Sequence, residues 1–550
     1  MRFFINYFYL LLMSIIIGSC VNSSNKNIRS DSGKLEILFL GHDSEHHNSA
    51  LYLPLLASTL SKEGISFTYT DNPDDLNDEN LDKYDGLMIY ANHEEITPNQ
   101  EKALLEFVAK GRGFIPVHCA SFCFQNSPKY ISLVGGQFMT HKTDTFTASI
   151  IKKDHFIVKS LNEFSTWDET YVHDKVGKDI TVLMERVEGD HHEPWTWVRE
   201  HGKGRVFYTA YGHDERTWSN PGFQQLMLEG ILWSVGDDAK IKWDKFNKEI
   251  PKLVYKDEAN IPNYEKRDPM PKYQEPLTPE ESAKLIQVPV GFDLKLFASE
   301  PDIINPIAME WDEKGRLWVV ETVDYPNTVR DDKSIGDDRI KICEDTDGDG
   351  KADKFTVFAE NLNIPTSLVF TNGGVIISQA PHFIFLKDTD GDDKADVRKI
   401  VIDGWGTYDT HAGPSNLKYG FDNQIWGVVG YSGFEGTVAG ENRTFSQGVY
   451  RFKPDVSSFE FMTGTSNNTW GLGFTERNDV FASTANNTHS VFMGIPNKAA
   501  RGVEGIALGG SAKIDGHYAM HAITQQVRQV DVFGGFTAAA GHNFYTARNY

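Results

Sequence analysis

The stretch Asp345-Thr-Asp-Gly-Asp-Gly-Lys-Ala-Asp353 recurs 43 residues later as Asp388-Thr-Asp-Gly-Asp-Asp-Lys-Ala-Asp396. Carboxylates at alternate positions of a loop that is turned by glycine are typical ligands of calcium. An EF-hand carries a bidentate Glu at the twelfth position of its loop, where this sequence has Thr356 and Lys399. We therefore expect calcium-binding loops without EF-hand helices, with acidic surface turns as the alternative. The predicted ligands are Asp345, Asp347, Asp349, Asp353, Asp388, Asp390, Asp392 and Asp396.

This repeat belongs to a longer pattern in the second half of the chain. The same order of strand, tight polar turn and second strand occurs at residues 307–318, 366–377, 415–426 and 470–481. Their central apolar residues stand 49–59 positions apart, and hairpins at such intervals are typical of β-propeller blades. We predict an all-β propeller over residues 286–550, with a fifth blade beginning near 536–540. Because the pattern stops at Tyr550 with no closing strand visible, we expect the sequence to be part of a longer protein, with a propeller that closes unusually early as the alternative.

Length and charge limit the class of protein. The 550 residues leave room for two to four domains. A formal net charge of −23 argues against nucleic acid and anionic membrane surfaces as partners, because both would repel the chain. Besides Cys20, the sequence has cysteines that form neither a disulfide framework nor a zinc pattern: Cys119, Cys123 and Cys343.

The N-terminus has the features of a targeting segment. A basic residue precedes an apolar run at residues 3–17, which is too short for a comfortable membrane span and ends at small residues. The cysteine that follows, Cys20, resembles the lipidated cysteine of a bacterial lipobox. The resemblance implies a signal peptide and lipobox at residues 1–20, a tether at 21–32 and a lipid anchor in the cell envelope. The protein would then face the periplasm or the exterior; an uncleaved anchor or a plain secretory signal is the alternative.

Residues 33–237 alternate strands with helices. Short apolar runs predict strands at 35–40, 65–69, 86–90 and 113–118. Apolar residues at helical spacing predict helices at 48–63 and 98–110. This alternation indicates an α/β fold with a doubly wound parallel sheet, whose ligands lie at the carboxyl ends of the strands. A charged linker punctuated by proline is predicted at 238–285.

Several motifs in this region lie at predicted strand ends or in adjoining loops. They are Gly41-His42-Asp43, Tyr84-Asp85, Gly113-Phe-Ile-Pro-Val-His118, Leu133-Val-Gly-Gly-Gln-Phe138 with His141, and Gly204-Arg-Val-Phe-Tyr-Thr-Ala-Tyr-Gly-His213. In these motifs the region resembles the trehalose-utilisation (ThuA-like) family, flavodoxin-like relatives of class I glutamine amidotransferases. The resemblance implies a domain that processes sugars. Amidotransferases carry a nucleophilic cysteine on a glycine-flanked elbow. The turn around Cys119 has no close glycines, so we expect Cys119 to be packed or bridged to Cys123.

Polar side chains that follow the predicted strands form a candidate site in this domain. Because the strand ends of a parallel sheet meet at one edge, we expect these side chains to converge. Imidazoles with one carboxylate suit either a divalent metal or acid–base work on a sugar hydroxyl, and isolated structural histidines are the alternative. The predicted residues are His42, His118, His141, Glu169, His173 and His213.

The propeller region has motifs of its own, among them Val288-Pro-Val-Gly-Phe292, residues 307–321, the acidic loops and Asp409-Thr-His411. In these it resembles the glucose/sorbosone dehydrogenase-like propellers of large secreted, membrane-bound dehydrogenase-type proteins of planctomycetes and Bacteroidetes. The resemblance implies pyrroloquinoline quinone on the axial face, with His411 as the catalytic base, Asp409 orienting it and Asn416 near the substrate. Further residues expected at this pocket are Asn467, Asn468, His489 and His542. The sequence has no Cys-x-x-Cys-His haem motif, so it encodes no electron acceptor.

Two functions fit these patterns. The first is an extracytoplasmic lipoprotein that acts on carbohydrate, with a sugar oxidoreductase-like propeller and a ThuA-like sugar-processing domain. The second is a lipoprotein whose propeller binds carbohydrate as a scaffold without catalysis. An amidotransferase-like hydrolase is a third interpretation. The sequence leaves open whether the chain is an enzyme. A carbohydrate or a sugar-derived small molecule is the expected partner in both main interpretations.

Overall fold

A computed structural model describes residues 33–42, 44, 46–256, 273–286, 288–326, 335–486, 489–500, 502–504, 511–513 and 541–547. These residues form two compact units. The first comprises those up to Val254 together with Glu275–Leu294, and the second those of Tyr255–Gln274 together with all from Lys295 onward. The predicted signal peptide, Cys20, the tether and the start of a fifth blade lie outside the described residues. Within the described part of the chain, no helix combines the length and the apolar composition needed to cross a bilayer.

The first unit is built on an eight-stranded sheet. Its strands, with those of two small sheets, are β1 Leu35–Leu40, β2 Ile65–Thr70, β3 Gly86–Ile89, β4 Gly113–Pro116, β5 Gln137–Thr140, β6 Thr143–Thr147, β7 Ser149–Ile150, β8 Ser165–Glu169, β9 Val172–Asp174, β10 Thr181–Glu188, β11 His191–His201 and β12 Gly204–Thr209. The order of the large sheet is β2-β1-β3-β4-β12-β11-β10-β7, while β5 pairs with β9 and β6 with β8. Strands β2, β1, β3, β4 and β12 are parallel, in the order of a flavodoxin-like sheet.

The predicted α/β class is confirmed, but the sheet is mixed and not wholly parallel as expected. Strand β11 pairs antiparallel with both β12 and β10, and β7 pairs antiparallel with β10. The reason lies in the connections. Strands β10, β11 and β12 follow one another through two-residue turns that contain Gly189 and Gly202, and such short turns join only antiparallel neighbours. Both glycines have positive φ, 61° and 60°, which tight hairpin turns require.

The helices of the described part of this unit have bounds that the sequence explains. They are α1 Ser49–Leu60, α2 Asp78–Leu81, α3 Pro98–Ala109, α4 Pro128–Val134, α5 Glu215–Trp218, α6 Pro221–Ser234, α7 Asp237–Asn247 and α8 Pro279–Leu285. Helix α3 begins at a capping box between Thr97 and Gln100, with Pro98 in its first turn. Its buried face has the predicted helical spacing and consists of Ala103, Leu104, Phe107 and Val108.

The region 238–285, predicted as a linker, begins inside helix α7. Trp243 of this helix is buried and donates its indole N–H to the Glu63 carbonyl at 2.6 Å. Trp243 is the one buried residue of this charged helix, and one buried position gives no apolar periodicity, which is why the sequence pattern does not reveal the helix. The short helix expected just before the second folded region is present as α8, which begins at a capping box between Thr278 and Glu281.

The described part of the second unit consists of strands, turns and a short 3₁₀ helix at Asn497–Ala500. Its strands are β13 Tyr255–Lys256, β14 Tyr273–Gln274, β15 Pro306–Trp311, β16 Leu317–Glu321, β17 Asp338–Glu344, β18 Lys354–Leu362, β19 Ser367–Thr371, β20 Gly374–Gln379, β21 His382–Lys387, β22 Val397–Asp403, β23 Pro414–Tyr419, β24 Ile425–Val429, β25 Phe434–Val438, β26 Glu441–Phe445, β27 Gly448–Phe452, β28 Phe459–Gly464, β29 Thr469–Phe474, β30 Val480–Thr484, β31 Val491–Phe492 and β32 Ala512–Lys513. Four antiparallel sheets follow in chain order, namely β15 to β18, β19 to β22, β23-β24-β27-β28 and β29 to β32. This four-blade, propeller-like arrangement confirms the fold class predicted for this half.

Hydrophobic side chains pack between consecutive blades, as the stacking of blades requires. Three clusters of buried residues join the four sheets in sequence, through pairs such as Trp318 and Ile377, Val369 and Leu417, and Trp426 and Leu472. Each blade therefore buries its hydrophobic side chains by packing against the neighbouring blades. This is the physical reason that the hairpins recur in the sequence at a regular interval.

The Arg316 guanidinium links the first two blades. Its Nε donates to Asp312 Oδ2 at 2.7 Å within the β15–β16 turn, and its Nη1 donates to Asp393 Oδ1 at 2.9 Å in the second acidic loop. The Arg316 side chain is only 12 % exposed, so water screens these ion pairs less than it screens pairs on an open surface. The second acidic loop is thus fastened to the neighbouring blade.

The carboxylate of Asp338, at the start of β17, is buried where the first blade joins the second. It accepts hydrogen bonds of 2.6–2.9 Å from the Thr322 hydroxyl and from the backbone N–H groups of Val323, Asp324 and Ile364. Thr322, Val323 and Asp324 follow β16, whereas Ile364 lies between β18 and β19. One side chain therefore satisfies backbone groups from two separate connections.

Candidate functional site

Glu169 lies at the centre of a group of four histidines in the first unit. Its Oε2 is 3.2 Å from His118 Nε2 and 3.4 Å from His47 Nε2. Its Oε1 is 3.3 Å from His213 Nδ1 and 3.4 Å from His141 Nδ1. Glu169, His47, His118 and His213 each offer one possible metal-ligand atom, and these four atoms all lie within 4.8 Å of one another. We call the five residues the Glu169 cluster.

The ends of parallel strands bring the cluster together. His118 follows β4, His213 follows β12, and His47 lies in the loop between β1 and α1. Because β1, β4 and β12 are parallel, these loops leave the same edge of the sheet. The two small sheets supply the remaining members, since Glu169 is the last residue of β8 and His141 follows β5. The cluster therefore occupies the edge where doubly wound sheets bind their ligands.

His118 is held more firmly than the other imidazoles of the cluster. Its side chain is fully buried, and its Nδ1 lies 2.6 Å from the Ala210 carbonyl oxygen. A carbonyl only accepts hydrogen bonds, so Nδ1 carries a proton, and whenever the ring is neutral it is Nε2 that presents its lone pair to Glu169. The Tyr171 ring stacks on His118 with ring centroids 4.1 Å apart. Gly212 allows this packing, because a Cβ at that position would lie 3.0 Å from His118 Cβ.

Asp168 holds the loop that carries His213. Its buried carboxylate accepts hydrogen bonds from the N–H groups of Gly212 at 2.9 Å and His213 at 3.1 Å, and from the Thr217 hydroxyl at 2.8 Å. Burial raises the pKa of Asp168 to about 7, although these donors act in the opposite direction. Successive side chains of a strand point to opposite faces, so Asp168 supports the loop while Glu169 faces the imidazoles.

Burial and the Glu169 carboxylate set the charges of the cluster. Burial lowers the pKa of His118 to about 4 and also lowers the pKa of His47, in spite of the nearby carboxylate. For His213, burial acts in the same direction, but Glu169 outweighs it and raises the pKa. Burial opposes ionisation of Glu169 itself, yet the facing imidazoles hold its pKa well below the usual range. A single carboxylate thus faces at least two neutral imidazoles.

One side of the cluster is open to solvent, because the His141 side chain is 40 % exposed and that of His213 is 21 % exposed. A polar cleft of about 460 Å³ lies nearby and is lined by His42, Ser44, Asp71, Asn92, His93 and Glu94. His42 connects the cleft to the cluster, since its Nε2 is 3.1 Å from the His47 carbonyl oxygen. A cavity of about 660 Å³ beside Arg112 lies at the opposite edge of the sheet, where this type of fold does not bind ligands.

The structure brings together most of the residues predicted for this domain, namely His118, His141, Glu169 and His213. His42 lies at the border between the cluster and the cleft, where its Nδ1 accepts a hydrogen bond from the Asn92 N–H at 3.3 Å. His173 is not part of the cluster. Its buried ring is held by Glu193, 2.8 Å from Nδ1, and by the Tyr208 hydroxyl, 2.9 Å from Nε2. These contacts give His173 a structural position.

His47 is not among the residues predicted from the sequence. The available signal is the His46-His47 pair, which lies in the same loop after β1 as His42. In the structure His46 is exposed, whereas His47 has a positive φ of 58° and turns towards Glu169. The conformation of the loop decides which imidazole turns inward, and residue spacing does not encode that conformation.

Cys119 and Cys123 are buried free thiols at the 3₁₀ turn that follows β4. Burial raises the pKa of both thiols above the ordinary value. Thiols held in the neutral form are poor nucleophiles. This agrees with the sequence, in which no glycine-flanked elbow surrounds Cys119. Of the two alternatives for this cysteine, the structure has the packed one.

The two acidic loops share one hydrogen-bonded turn. The first aspartate of each loop, Asp345 or Asp388, accepts hydrogen bonds from three backbone N–H groups of its own loop. In each loop three carboxylates have oxygens within 4.8 Å of one another, namely Asp345, Asp347 and Asp353, and Asp388, Asp390 and Asp396. The other predicted ligands accept hydrogen bonds from backbone N–H groups: Asp349 from that of Lys351, and Asp392 from that of Lys394. Three converging carboxylates are a donor set that suits calcium.

In the propeller, His411 and Asp409 are in contact as expected, with Nδ1 and Oδ1 3.2 Å apart. The His411 side chain is 58 % exposed, and the Tyr325 ring lies 5.2 Å from it between centroids. Asn416, which was expected near the substrate, donates its amide to Ser415 Oγ and to the Trp470 carbonyl of the next blade. Asn416 therefore joins two blades in this structure.

The cavity beside Asp409 is the place to test the quinone that the resemblance implies. Its volume is about 10 Å³, and its described lining residues include no Arg or Lys. Pockets for ligands of this size have volumes of about 300–1,000 Å³. A tricyclic quinone with three carboxylates also needs cationic partners. Among the described residues, this small cavity is therefore not a site for pyrroloquinoline quinone.

Comparisons with known proteins agree with the division of the chain into an α/β part and a propeller-like part. The trehalose utilisation (ThuA) family matches residues 36–234, and a domain of unknown function (DUF7133) matches residues 278–550. No curated protein matches the chain. Residues 36–234 form a ThuA domain. This domain and the four-blade arrangement that follows it fit a carbohydrate-related protein.

Solved structures with similarity to this chain include two ThuA-like proteins. The protein from Bacteroides uniformis is 17 % identical, with 38 % of this chain and 94 % of that chain covered at a TM-score of 0.32. The protein from Parabacteroides merdae is 18 % identical, with 36 % and 90 % covered at a TM-score of 0.33. A β-galactosidase from Rahnella sp. is 14 % identical, with 36 % and 31 % covered at a TM-score of 0.29.

Proposed function

We propose that this chain is an extracytoplasmic lipoprotein that acts on carbohydrate, and that its ThuA-like domain transfers protons on a bound sugar at the Glu169 cluster. The observation that carries the proposal is the convergence of four imidazoles on one carboxylate at the carboxyl edge of the sheet. Two of the imidazoles, His141 and His213, are partly exposed and can be reached by a substrate. Titratable side chains that converge beside a cleft are the usual machinery of acid–base catalysis.

The cleft lined by His42 is the proposed sugar site. Its volume of about 460 Å³ lies within the range of small-molecule pockets. Asp71, Asn92 and Glu94 offer oxygens and an amide that can form hydrogen bonds with several hydroxyl groups. A sugar has many hydroxyls and no charge, whereas an anionic ligand would be repelled by the two carboxylates. The lining therefore favours a neutral carbohydrate.

The chemistry follows from the exposed side of the Glu169 cluster, which a sugar held at the cleft would have to reach. When an open-chain sugar brings the C–H beside its carbonyl to His141, the imidazole can take that proton and leave an enediolate, and the Glu169 carboxylate stabilises the imidazolium that forms. The Ala210 carbonyl fixes His118, and His118 in turn contacts Glu169. The Glu169 carboxylate is therefore held in place during the transfer. The same groups can return a proton to a neighbouring position of the sugar.

The experiment that tests the proposal uses the full chain with a panel of aldoses, ketoses and disaccharides in D₂O. We expect at least one sugar to be converted, or to exchange a carbon-bound hydrogen for deuterium, and NMR detects both events. The cleft variant Asn92→Ala should raise KM for that sugar, because Asn92 lines the cleft and lies outside the Glu169 cluster. If no sugar binds, exchanges or reacts, the proposed function is wrong.

We also propose that the acidic loops bind calcium, as their donor sets suggest. At a calcium concentration 100 times the dissociation constant, binding to the native state would stabilise the propeller by about 2.7 kcal/mol. Chelation should therefore lower the melting temperature of the second unit, and Asp347→Asn with Asp390→Asn should remove this dependence. Asp455→Asn, an exposed aspartate outside both loops, is the control. A double variant that responds to calcium as the wild type does would leave the loops as surface turns.

A second candidate function, sugar oxidation by the propeller, is favoured by the contact between His411 and Asp409. His411→Ala is expected to abolish dye-linked sugar oxidation, assayed with and without added pyrroloquinoline quinone, because the base for the hydroxyl proton is lost. His382→Ala is the matched control, since it removes another imidazole paired with an aspartate, Asp403, at 3.0 Å. If the wild type oxidises no sugar, or the His411 variant oxidises it equally well, the propeller is left with a carbohydrate-binding role.

The proposed lipid anchor leads to a prediction about localisation. Cys20→Ala is expected to move the protein from the membrane fraction to the soluble fraction, because the thiol would carry the lipid. Fractionation and incorporation of labelled fatty acid measure the change. Ser24→Ala, within the proposed tether, should leave both unchanged. Continued membrane retention of the Cys20 variant would contradict the anchor.

A further inference from the structure

We propose that the Glu169 cluster is a binding site for a divalent transition metal of the zinc class, held by His47, His118, His213 and Glu169. The role of the metal in turnover rests on the proposed function, whereas the site itself rests on geometry. Imidazole nitrogens together with one carboxylate oxygen are a donor set typical of zinc and its neighbours, while calcium and magnesium prefer oxygen donors.

The distances between the donor atoms have the size that such a metal requires. Zinc binds nitrogen and carboxylate oxygen at about 2.0–2.2 Å, and a tetrahedron of that size has edges of about 3.3–3.6 Å. The carboxylate oxygens of Glu169 lie 3.2 Å from His118 Nε2, 3.4 Å from His47 Nε2 and 3.3 Å from His213 Nδ1. These oxygen–nitrogen distances, which involve both carboxylate oxygens, match an edge of that tetrahedron, and the four donor atoms all lie within 4.8 Å of one another.

Hydrogen bonding at His118 supports a cation in that space. Its Nδ1 donates to the Ala210 carbonyl at 2.6 Å, the arrangement that fixes a metal-ligating histidine through its other nitrogen. The Nε2 of the neutral ring then directs a lone pair at a carboxylate oxygen 3.2 Å away. Two acceptors that face each other at this distance need a proton or a metal ion between them.

His213 gives a second, separate observation. Its Nδ1 is buried and lies 3.3 Å from Glu169 Oε1, yet it is not aligned to form a hydrogen bond with any described residue. One shared proton can form a hydrogen bond within only one imidazole–carboxylate pair, whereas His47, His118 and His213 all approach the same carboxylate. One divalent cation satisfies the three nitrogens and the carboxylate together.

His141 defines the side from which a substrate would approach. Its Nδ1 is 3.4 Å from Glu169 Oε1, but its side chain is 40 % exposed and it stands at the solvent side of the cluster. Catalytic zinc sites keep one position open for water or substrate. The exposed side at His141 provides that position and leads towards solvent, where a sugar oxygen can replace water.

The test is metal binding by the full chain, measured without reference to turnover. The protein is stripped with a chelator, and millimolar calcium is then added to saturate the acidic loops. We expect one equivalent of Zn²⁺ to bind in calorimetry, and one equivalent of Co²⁺ to give the intense visible absorption of a tetrahedral site. His47→Ala and Glu169→Gln should each weaken binding at least about 100-fold. His46→Ala, in the same loop but with an exposed side chain, should bind as the wild type does.

Circular dichroism and thermal melting establish whether each variant is folded, and only folded variants are compared. Absence of Zn²⁺ and Co²⁺ binding by the wild type, or equal binding by the wild type and Glu169→Gln, would overturn the metal site. Sugar conversion by metal-free protein would also overturn a role of the metal in turnover, while leaving the proposed carbohydrate function in place. Metal binding without any sugar conversion would support the site and contradict the proposed function.

Discussion

Glu169→Gln should lower the rate of sugar conversion at least about 100-fold while the first unit stays folded. Glutamine keeps the size of the side chain but removes the negative charge that faces four imidazoles. Without that charge, an imidazole that accepts a proton from the sugar loses its stabilising partner. The loss should appear in kcat more than in KM, because the cleft that holds the sugar is lined by other residues. NMR assays of product formation measure both constants.

Glu193→Gln is the matched control for this prediction. Glu193 is also a buried carboxylate paired with a histidine, since its Oε1 lies 2.8 Å from His173 Nδ1, but it is outside the Glu169 cluster. Both substitutions therefore remove one buried charge from a histidine–carboxylate pair in the same domain. Equal losses of activity in the two variants would mean that the effect is structural. Full activity of the Glu169 variant would remove the cluster from the mechanism.

Asp338→Ala is expected to lower the free energy of unfolding of the propeller by about 3–5 kcal/mol. The substitution leaves the buried N–H groups of Asp324 and Ile364 and the buried Thr322 hydroxyl without their acceptor, together with the partly buried N–H of Val323. Each such group costs about 1–3 kcal/mol when it stays unsatisfied, and water entering the gap recovers part of the loss. Because the chain has two units, hydrogen exchange should be followed separately in peptides from the first two blades.

Glu313→Ala, an exposed residue in the β15–β16 turn, is the control and should change the stability by no more than about 0.5 kcal/mol. Asp338→Asn keeps one acceptor oxygen, so its loss of stability should lie between those of Asp338→Ala and Glu313→Ala. Unchanged protection of blade peptides in Asp338→Ala would show that the four hydrogen bonds contribute little to the junction. A loss confined to the first unit would contradict the assignment of this residue to the propeller.

Much of the fold can be predicted from local signals. Strand β1 is an apolar run, helix α3 carries its own capping box, and the first two strands of each blade repeat at a regular interval. These features depend on residues close together in the chain. The antiparallel edge of the large sheet was not predicted, because pairing of β10, β11 and β12 depends on turns whose flanking strands mix polar and apolar residues.

The candidate site was predictable in part, for a related reason. The strand-end rule places His118 and His213 at one edge of the sheet, and the structure has them there. The strand-end rule does not separate His173 from the residues of the site. Contacts with Glu193 and Tyr208 from other strands set the position of His173. Asn416 illustrates the same limit, because its partner belongs to the next blade, 54 residues further along the chain.

The ion pairs of Arg316 make the two acidic loops unequal. The second loop has an additional aspartate, Asp393, where the first has Gly350, and the Arg316 guanidinium lies 2.9 Å from its carboxylate. That fixed positive charge offsets the negative charge of the added carboxylate. A displacement of the second loop would therefore reach the first blade through this ion pair.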